Sequence, residues 1–155
     1  EVVNYYSDNK MSSIGHRLEM WKASYLSAKD HNFLGAGENS FKSEVKRLAQ
    51  EDKVHKSLQN FVDPHSQYFN TLLDQGIIGF SSLLLIFFIP LKVLLNNLKD
   101  RSQSHTSVMF SSVLLLSYME FMLTISTFEI QIMTLFFAFT LSIFLGLFTH
   151  NRHHS

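Results

Sequence analysis

The sequence predicts an all-α integral membrane protein, in which a polar helical segment precedes three membrane-spanning helices. Charge divides the chain: residues 1–75 carry nine Lys/Arg and ten Asp/Glu, whereas residues 76–155 carry only four and three. Aromatic content divides it at the same place, because 11 of the 15 Phe lie in the charge-poor part. That part also contains apolar runs whose lengths suit a bilayer. The two parts are therefore interpreted separately.

Composition excludes several classes of protein. The chain has 155 residues with 13 basic and 13 acidic side chains, so it has no net positive charge to offset nucleic-acid phosphates. The absence of Cys excludes a disulfide scaffold, and a hydrophobic content of 46% excludes a disordered chain. We therefore expect membrane lipids around the second part and no nucleic-acid partner.

The predicted spans are three apolar runs at residues 76–95, 107–126 and 130–148. At about 1.5 Å per residue, a helix of about 20 residues covers roughly 30 Å, the thickness of the hydrocarbon core. Pro90 lies near the far end of the first run, where a kink costs little. The alternative is that these are buried helices of a large soluble protein. It is disfavoured because too little polar sequence remains to cover three such runs.

The basic residues of the second part predict its orientation. Lys92, Lys99 and Arg101 lie near or after the end of the first run, and Arg152 follows the third. The link between the second and third runs has no Lys or Arg. The positive-inside rule therefore assigns these four residues to the cytoplasm, together with the short C-terminal tail. Residues 1–75 then emerge on the opposite face, which in a bacterium is the periplasm.

Two acidic residues lie in or beside the predicted spans. Glu120 lies inside the second run, where a carboxylate hints at function, but the sequence leaves open whether it belongs to a site. Glu129 is interpreted as interfacial.

The chain opens at Glu1 in polar sequence, with no leader, and ends in hydrophobic runs. We therefore expect it to be the C-terminal piece of a longer protein.

Residues 12–28 predict a helix with one apolar stripe, whose members recur at steps of four, three and four: Ile14, Leu18, Trp21 and Tyr25. Arg17 borders the stripe one turn before Trp21. Either the stripe packs on protein and Arg17 extends into water, or the helix lies on the membrane surface. In the second case Arg17 faces the level of a lipid-linked phosphate.

A turn and a charged helix follow this segment. Gly35 and Gly37 predict the turn, whose backbone N–H groups either serve the turn alone or form an anion-binding nest. Residues 41–61 then predict a charged helix, because a mixed Lys/Glu face accompanies spaced apolar residues. That charged face is interpreted as solvated.

The segment Asp63-Pro64-His65 contains the candidate general base. Asp is a common N-cap and Pro a common first helical residue, so we expect His65 in the first helical turn. The positive end of the helix favours neutral imidazole, which can accept a proton. From the spacing alone, His65 is either a base or a structural residue. The helix would hold it close to the membrane surface.

Three of the other histidines, His16, His31 and His55, lack the spacing of metal ligands. The tail histidines His150, His153 and His154 are interpreted as a polar terminus, with trace metal binding as the alternative. The chain also lacks a phosphate-binding loop, a dinucleotide fingerprint and the motifs of serine hydrolases and zinc proteases. We therefore expect the protein to use neither a metal nor another cofactor.

The order of these features resembles the O-antigen ligase and O-antigen polymerase superfamily of bacterial membrane glycosyltransferases. Its pattern is Arg four residues before Trp, then a His-Pro-Leu-x-Gly-x-Gly turn, and later Pro-His followed by Asn, Ser or Gln. Nine residues further on, Gly-x-x-Gly precedes a span. The matching residues here are Arg17 and Trp21, residues 31–37 (HNFLGAG), residues 64–66 (PHS) and residues 76–79 (GIIG). The match covers about residues 12–95.

This chain departs from the family pattern at two positions. Asn32 stands where the family has Pro, and Ser66 stands where Asn is commoner. Neither change is expected to abolish the chemistry. Ser66 does change the hydrogen bonds that are available beside His65.

The resemblance implies a polytopic, GT-C-like helical fold and an enzyme of the bacterial inner membrane that acts in lipopolysaccharide biosynthesis. Such an enzyme transfers an undecaprenyl-diphosphate-linked glycan (the O-antigen) to a hydroxyl acceptor, without metal or nucleotide. The acceptor is the lipid A core in a ligase, another repeat unit in a polymerase, and a protein Ser or Thr in an oligosaccharyltransferase. The His-Ser-x9-Gly-x-x-Gly run favours the ligase.

The resemblance and the chemistry together assign roles to residues. Arg17 would hold the diphosphate, and His65 would activate the acceptor hydroxyl for a single inverting displacement. Further substrate contacts are expected from Trp21, His31, Gly35, Gly37, Ser66 and Gln67. An alternative of another class is a non-catalytic transporter or export subunit, in which Glu120 is the functional residue and Arg17 and His65 are dispensable.

Overall fold

The computed structural model describes residues 12–97 and 105–152, which form α-helices and 3-10 helices without strands. The polar part contains α1 (Ser13–Asp30), α2 (Phe41–Gln50) and the 3-10 helix Lys56–Asn60. The apolar part contains α3 (Gln67–Asn97), α4 (His105–Thr124), the 3-10 helix Thr127–Glu129 and α5 (Gln131–Arg152). The all-helical prediction is confirmed for these residues. Three segments lie outside them: residues 1–11, residues 98–104, which include two of the basic residues on which the predicted orientation depends, and residues 153–155.

Helix α1 packs through small side chains and leaves most of its large apolar stripe exposed. Ser12 caps the helix, since its Oγ accepts a hydrogen bond from the backbone N–H of Gly15 at 3.1 Å. The packed face includes four small residues that are at most 1% exposed: Ala23, Ser24, Ser27 and Ala28. Three members of the predicted stripe point outward instead: Ile14, Leu18 and Tyr25. The stripe therefore does not form the core of this chain.

The polar part has its own core, which forms between α1, α2 and the start of α3. Its largest fully buried side chains include Met20, Phe41, Leu48 and Leu58. The prediction of one helix over residues 41–61 is wrong, because α2 ends at Gln50 and the chain turns through residues 51–55. The turn is needed because Leu58 packs on the same core as Leu48. In a continuous helix, Leu58 would lie about 15 Å from Leu48 along the axis.

Helix α3 is sharply bent at Gly76, whose φ of 66° and ψ of −158° are not helical. The Oε1 atom of Gln67 accepts the backbone N–H of Phe128 at 2.8 Å, and the ring of Phe87 lies 6.4 Å from that of Phe128. In a straight helix, Gln67 and Phe87 would be about 30 Å apart along the axis. The two arms of α3, residues 67–75 and 77–97, therefore fold toward each other around Phe128.

The predicted turn after α1 forms hydrogen bonds with the backbone of α3 at this bend. In a continuous helix, the N–H of Ile77 would bond the carbonyl of Leu73. Here the N–H of Ile77 donates to the carbonyl of Phe33 at 2.8 Å, and the carbonyl of Leu73 accepts the N–H of Ala36 at 2.7 Å. The turn thus satisfies both groups that the bend leaves without a helical partner.

The apolar part includes one helix that is long and apolar enough to cross a membrane, residues 67–96 within α3. Two shorter apolar helices, Met109–Thr124 and Gln131–Ile143, lie in the described parts of α4 and α5. Large apolar side chains also point outward, and Ile132 is 79% exposed. These features support a membrane protein, while the three-span topology stays a prediction.

Candidate functional site

His65 lies in the bend immediately before α3. The prediction that it occupies the first helical turn is wrong, because α3 begins at Gln67 and His65 has a positive φ of 48°. The side chain of Asp63 does accept a backbone N–H, but that N–H belongs to His65 and not to a residue of the helix. The distance from the N atom of His65 to Oδ1 of Asp63 is 2.6 Å. The chain therefore turns at His65 and enters the helix two residues later.

The same carboxylate also reaches the imidazole of His65. Oδ1 of Asp63 lies 3.2 Å from Nδ1, and the side chain of His65 remains 46% exposed. A carboxylate at this position holds the imidazole proton on Nδ1, which leaves Nε2 free to accept a proton. Sequence reasoning missed this role of Asp63, although the Asp-x-His spacing was a usable signal.

The bend that carries His65 is fixed to the turn between α4 and α5. Four side chains of residues 63–68 hydrogen-bond residues 119–128: Asp63 with Ser126, Ser66 with Met122, Gln67 with Phe128, and Tyr68 with Met119. These bonds join parts of the chain that are more than 50 residues apart. The position of His65 therefore depends on the α4–α5 turn, which no local motif indicated.

Two residues predicted to bind substrate instead attach the bend to the α4–α5 turn. Ser66 is fully buried, and its hydroxyl donates to the carbonyl of Met122 at 3.2 Å. Gln67 is also buried, and its Nε2 donates to Thr71 while its Oε1 accepts from Phe128. Both side chains therefore have structural partners, and their contact with substrate stays a prediction.

Arg17 lies at the same end of a helix pair as His65. The rings of Trp21 and Phe69 stack with their centroids 5.1 Å apart, which joins α1 to α3. Arg17 lies four residues before Trp21, and His65 lies four residues before Phe69. Because the turn that follows α1 bonds α3 further along, where the carbonyl of Phe33 accepts the N–H of Ile77, the two helices run in the same direction. The arrangement brings the two candidate residues to one end.

The ring of Phe61 contacts two histidines at the end of the helix pair where Arg17 and His65 lie. The ring of Phe61 lies 5.3 Å from that of His16 and 5.9 Å from that of His65, with the second pair edge-to-face. His16 immediately precedes Arg17 in α1. Phe61 therefore contacts both the residue next to Arg17 and the imidazole of His65.

Two donors beside these rings, on Arg17 and Trp21, have no partner in the part of the chain that the structure describes. Within the described residues, Arg17 forms no hydrogen bond or ion pair, whereas Arg47 bonds three carboxylates, those of Asp30, Glu44 and Glu51. The Nε1 atom of Trp21 is buried and has no hydrogen-bond partner in the same part of the chain. A partly buried guanidinium without a counter-ion can bind an anion, and a phosphate fits its donor geometry.

The remaining predicted residues lie at the other end of α1. His31 caps the C-terminus of α1, and its Nε2 lies 3.4 Å from Oε1 of Glu44. Fourteen residues of helix separate it from Arg17, or about 21 Å. The N–H of Gly37 donates to the carbonyl of Asp74 at 3.1 Å, so it serves the turn. Substrate binding by His31, Gly35 and Gly37 stays a prediction.

Arg47 organises an ion-pair cluster that was interpreted from the sequence as a solvated face. Its hydrogen bond to Asp30 lowers the pKa of that carboxyl. Burial acts to raise the pKa of Glu44, but hydrogen bonds from Arg47 and Ser27 outweigh it and lower that pKa. The cluster joins α1 to α2. The spacing of Glu44, Arg47 and Glu51 at three and four residues was the available signal.

Among the side chains that the structure describes, no three of His, Asp or Glu are grouped so that they could hold a metal ion. Glu120 is exposed on α4, one residue after Met119, whose carbonyl accepts the hydroxyl of Tyr68. Its role stays open.

The fold and the site define a class, an α-helical membrane protein in which a histidine–carboxylate pair in the bend before α3 accompanies an arginine of α1 that has no ion pair among the described residues. Residues 2–84, more than half of the chain, match the O-antigen ligase family, and the chain belongs to that family. It is also similar to an uncharacterised protein of Haemophilus influenzae, with 25% identity over 103 residues. The aligned region is 66% of this chain and 26% of that protein. No solved structure matches the chain.

Proposed function

We propose that this protein transfers a glycan from undecaprenyl diphosphate to a hydroxyl of the lipid A core, as an O-antigen ligase. Membership of the O-antigen ligase family supports a glycosyltransferase-like role. The observation that carries the proposal is the joint position of His65, which has a carboxylate partner, and Arg17, which has none among the described residues. The aligned region is about a quarter of the relative that the chain matches, so the activity of the whole protein is part of this proposal.

The proposed reaction is a single displacement at the anomeric carbon of the donor. Nε2 of His65 removes the proton of the acceptor hydroxyl, and the oxygen attacks the anomeric carbon as the bond to the diphosphate oxygen breaks. Arg17 binds the diphosphate and stabilises the negative charge that develops on it. The carboxylate of Asp63 stabilises the imidazolium that forms. Attack opposite the leaving group inverts the anomeric configuration.

We also propose a multi-pass topology, in which residues 1–75 face the periplasm and the C-terminus faces the cytoplasm. The stripe of α1 supports contact with the outer leaflet, since the large side chains of Ile14, Leu18 and Tyr25 are exposed in the described part of the chain. A lipid-linked diphosphate lies at the level of the headgroups. A helix on that surface would bring Arg17 within reach of it.

The test is to replace His65 with Ala in the intact protein and to assay glycan-capped lipopolysaccharide in cells. Loss of capping is expected, because a general base contributes about 10²–10⁴-fold to such a reaction. His55→Ala is the matched control, since His55 is an exposed histidine of the same polar part. Wild-type capping in His65→Ala cells, at equal protein abundance, would remove His65 from the mechanism.

The acceptor is identified by deleting the gene and separating lipopolysaccharide on a gel. Accumulation of unligated lipid-linked polymer indicates the ligase. A core that carries a single repeat unit indicates the polymerase of the same superfamily. An unaltered ladder indicates a protein acceptor, as in oligosaccharyltransferases, and would contradict the proposed acceptor.

A further inference from the structure

A polar cleft of about 210 Å³ lies inside the bend of α3. It is lined by residues from the turn after α1, the first arm of α3 and the α4–α5 turn: Glu38, Asn39, Gln67, Asn70, Thr71, Asp74, Gln75 and Phe128. The five α3 residues recur at steps of three, one, three and one, which places them on one face. Phe69, which stacks on Trp21, projects from the opposite face. The cleft is therefore separate from the Arg17 end of α1.

The chemistry of the lining suits a ligand rich in hydroxyl groups. Four amide side chains, one hydroxyl and two carboxylates provide both donors and acceptors, and Phe128 supplies one apolar ring. The lining contains no Lys or Arg, and its two carboxylates would repel an anion. A phosphate or an acidic sugar therefore does not fit, whereas a neutral or amino-substituted sugar does.

The walls of the cleft are held in place, and two amides at its mouth remain available. The carboxylate of Asp74 accepts hydrogen bonds from the backbone N–H of Asn39, the backbone N–H of Ser40 and the Ser40 hydroxyl. In the described part of the chain, the side-chain amides of Asn39 and Gln75 bond no other residue, and both side chains are exposed. Preorganised walls with free donors and acceptors are typical of small-molecule sites.

We propose that this cleft binds one neutral or amino-substituted sugar unit of the glycan substrate, away from the reacting bond. The proposal rests on the proposed glycan transfer. A volume of about 210 Å³ holds roughly seven waters at about 30 Å³ each, which suits a single sugar ring. Gln67, which lines the cleft, lies two residues after His65. Successive units of one glycan could therefore reach both places.

The test measures saccharide binding directly, without the transfer reaction. The probe is the saccharide released by mild acid from the lipopolysaccharide of the source bacterium, titrated against the intact protein in lipid nanodiscs by saturation-transfer difference NMR. The variant is Asn39→Gly with Gln75→Ala, which removes both free amides. Glycine keeps the positive φ of 59° at position 39. The matched control is Gln50→Ala, at an exposed position on α2.

Loss of two hydrogen bonds is expected to raise the Kd about tenfold in the double variant and to leave the Gln50→Ala value unchanged. The proposal is overturned if the wild-type protein gives no saccharide signal, or if the double variant, with unchanged thermal stability, binds as tightly as wild type. His65→Ala separates the two proposals. Normal transfer by that variant refutes the proposed reaction, while the Kd comparison still decides the cleft.

Discussion

Oδ1 of Asp63 contacts His65 twice, at the backbone N–H at 2.6 Å and at Nδ1 at 3.2 Å. One carboxylate oxygen thus fixes both the backbone bend and the orientation of the imidazole. The resulting geometry resembles that of known catalytic histidines, in which an acidic residue holds the ring and stabilises its protonated form.

Asp63→Asn is therefore expected to lower the kcat/KM of glycan transfer about 10–100-fold. The amide keeps an oxygen for the backbone N–H of His65 but removes the negative charge beside the ring. The control is Ser126→Ala, whose hydroxyl contacts the same carboxylate at 3.4 Å and does not touch the imidazole. The role of Asp63 is refuted if Asp63→Asn turns over as fast as the wild-type protein.

The two arginines of the polar part are expected to respond in opposite ways to replacement by Lys. Arg17→Lys keeps the charge but loses the two-pronged geometry, so it should lower transfer about tenfold or more with little change in Tm. Arg47→Lys should lower the Tm, because Arg47 bonds three carboxylates, and should leave turnover per folded molecule unchanged. Turnover assays and thermal melts on both variants provide the check. Unchanged turnover in Arg17→Lys means that Arg17 only extends into solvent.

Local patterns predicted the helices well where neighbouring residues decide the structure. The predicted helix over residues 12–28 corresponds to Ser13–Asp30, and the two later apolar runs correspond to α4 and α5. The errors lie where distant residues decide. Residues 41–61 do not form one helix, because Leu58 must return to the core of α2. Local propensity contains no information about that contact.

In the candidate site too, local features could be predicted from the sequence, and features that depend on distant residues could not. Arg17 and His65 were recognisable from motifs, and Asp63 from its spacing to His65. The fixation of this bend by Met122 and Ser126 was not recognisable, because those residues follow more than 50 positions later. Likewise Gly35 and Gly76 meet backbone to backbone although 41 positions separate them in the chain. Such pairings depend on the bend of α3, which the sequence shows only as a glycine.

Gly35 and Gly37 provide a matched pair for this contact, since their φ angles are 98° and 99°. A Cβ at Gly35 would lie 2.5 Å from the carbonyl oxygen of Asp74, whereas a Cβ at Gly37 would meet nothing within 4 Å. Gly37→Ala should cost only the left-handed conformation, about 1–2 kcal/mol. Gly35→Ala should cost about 3 kcal/mol or more beyond that, because backbone must move. Thermal melts of both variants measure the difference, and equal melting temperatures would contradict the close contact.

The Arg47 cluster predicts how stability depends on pH. The pKa values of Asp30 and Glu44 are lowered from 3.8 and 4.5 in the folded protein, mainly because Arg47 favours their charged forms. A lowered carboxyl pKa stabilises the fold above its unfolded value, and that stabilisation is lost as the pH falls through the folded value. The Tm of the wild-type protein should therefore decrease as the pH falls from about 5 to about 3.

Replacing Arg47 should remove part of that pH dependence. Arg47→Met should have a lower Tm than wild type at pH 7, and its Tm should fall less on acidification, because neither carboxylate then has its main partner. Lys46→Met is the control, since Lys46 is an exposed base of the same helix without an ion pair among the described residues. It should follow the wild-type curve. If wild type and Arg47→Met lose stability in parallel over this pH range, other carboxyl groups govern the acid sensitivity, because the Arg47 contribution would be absent from both slopes.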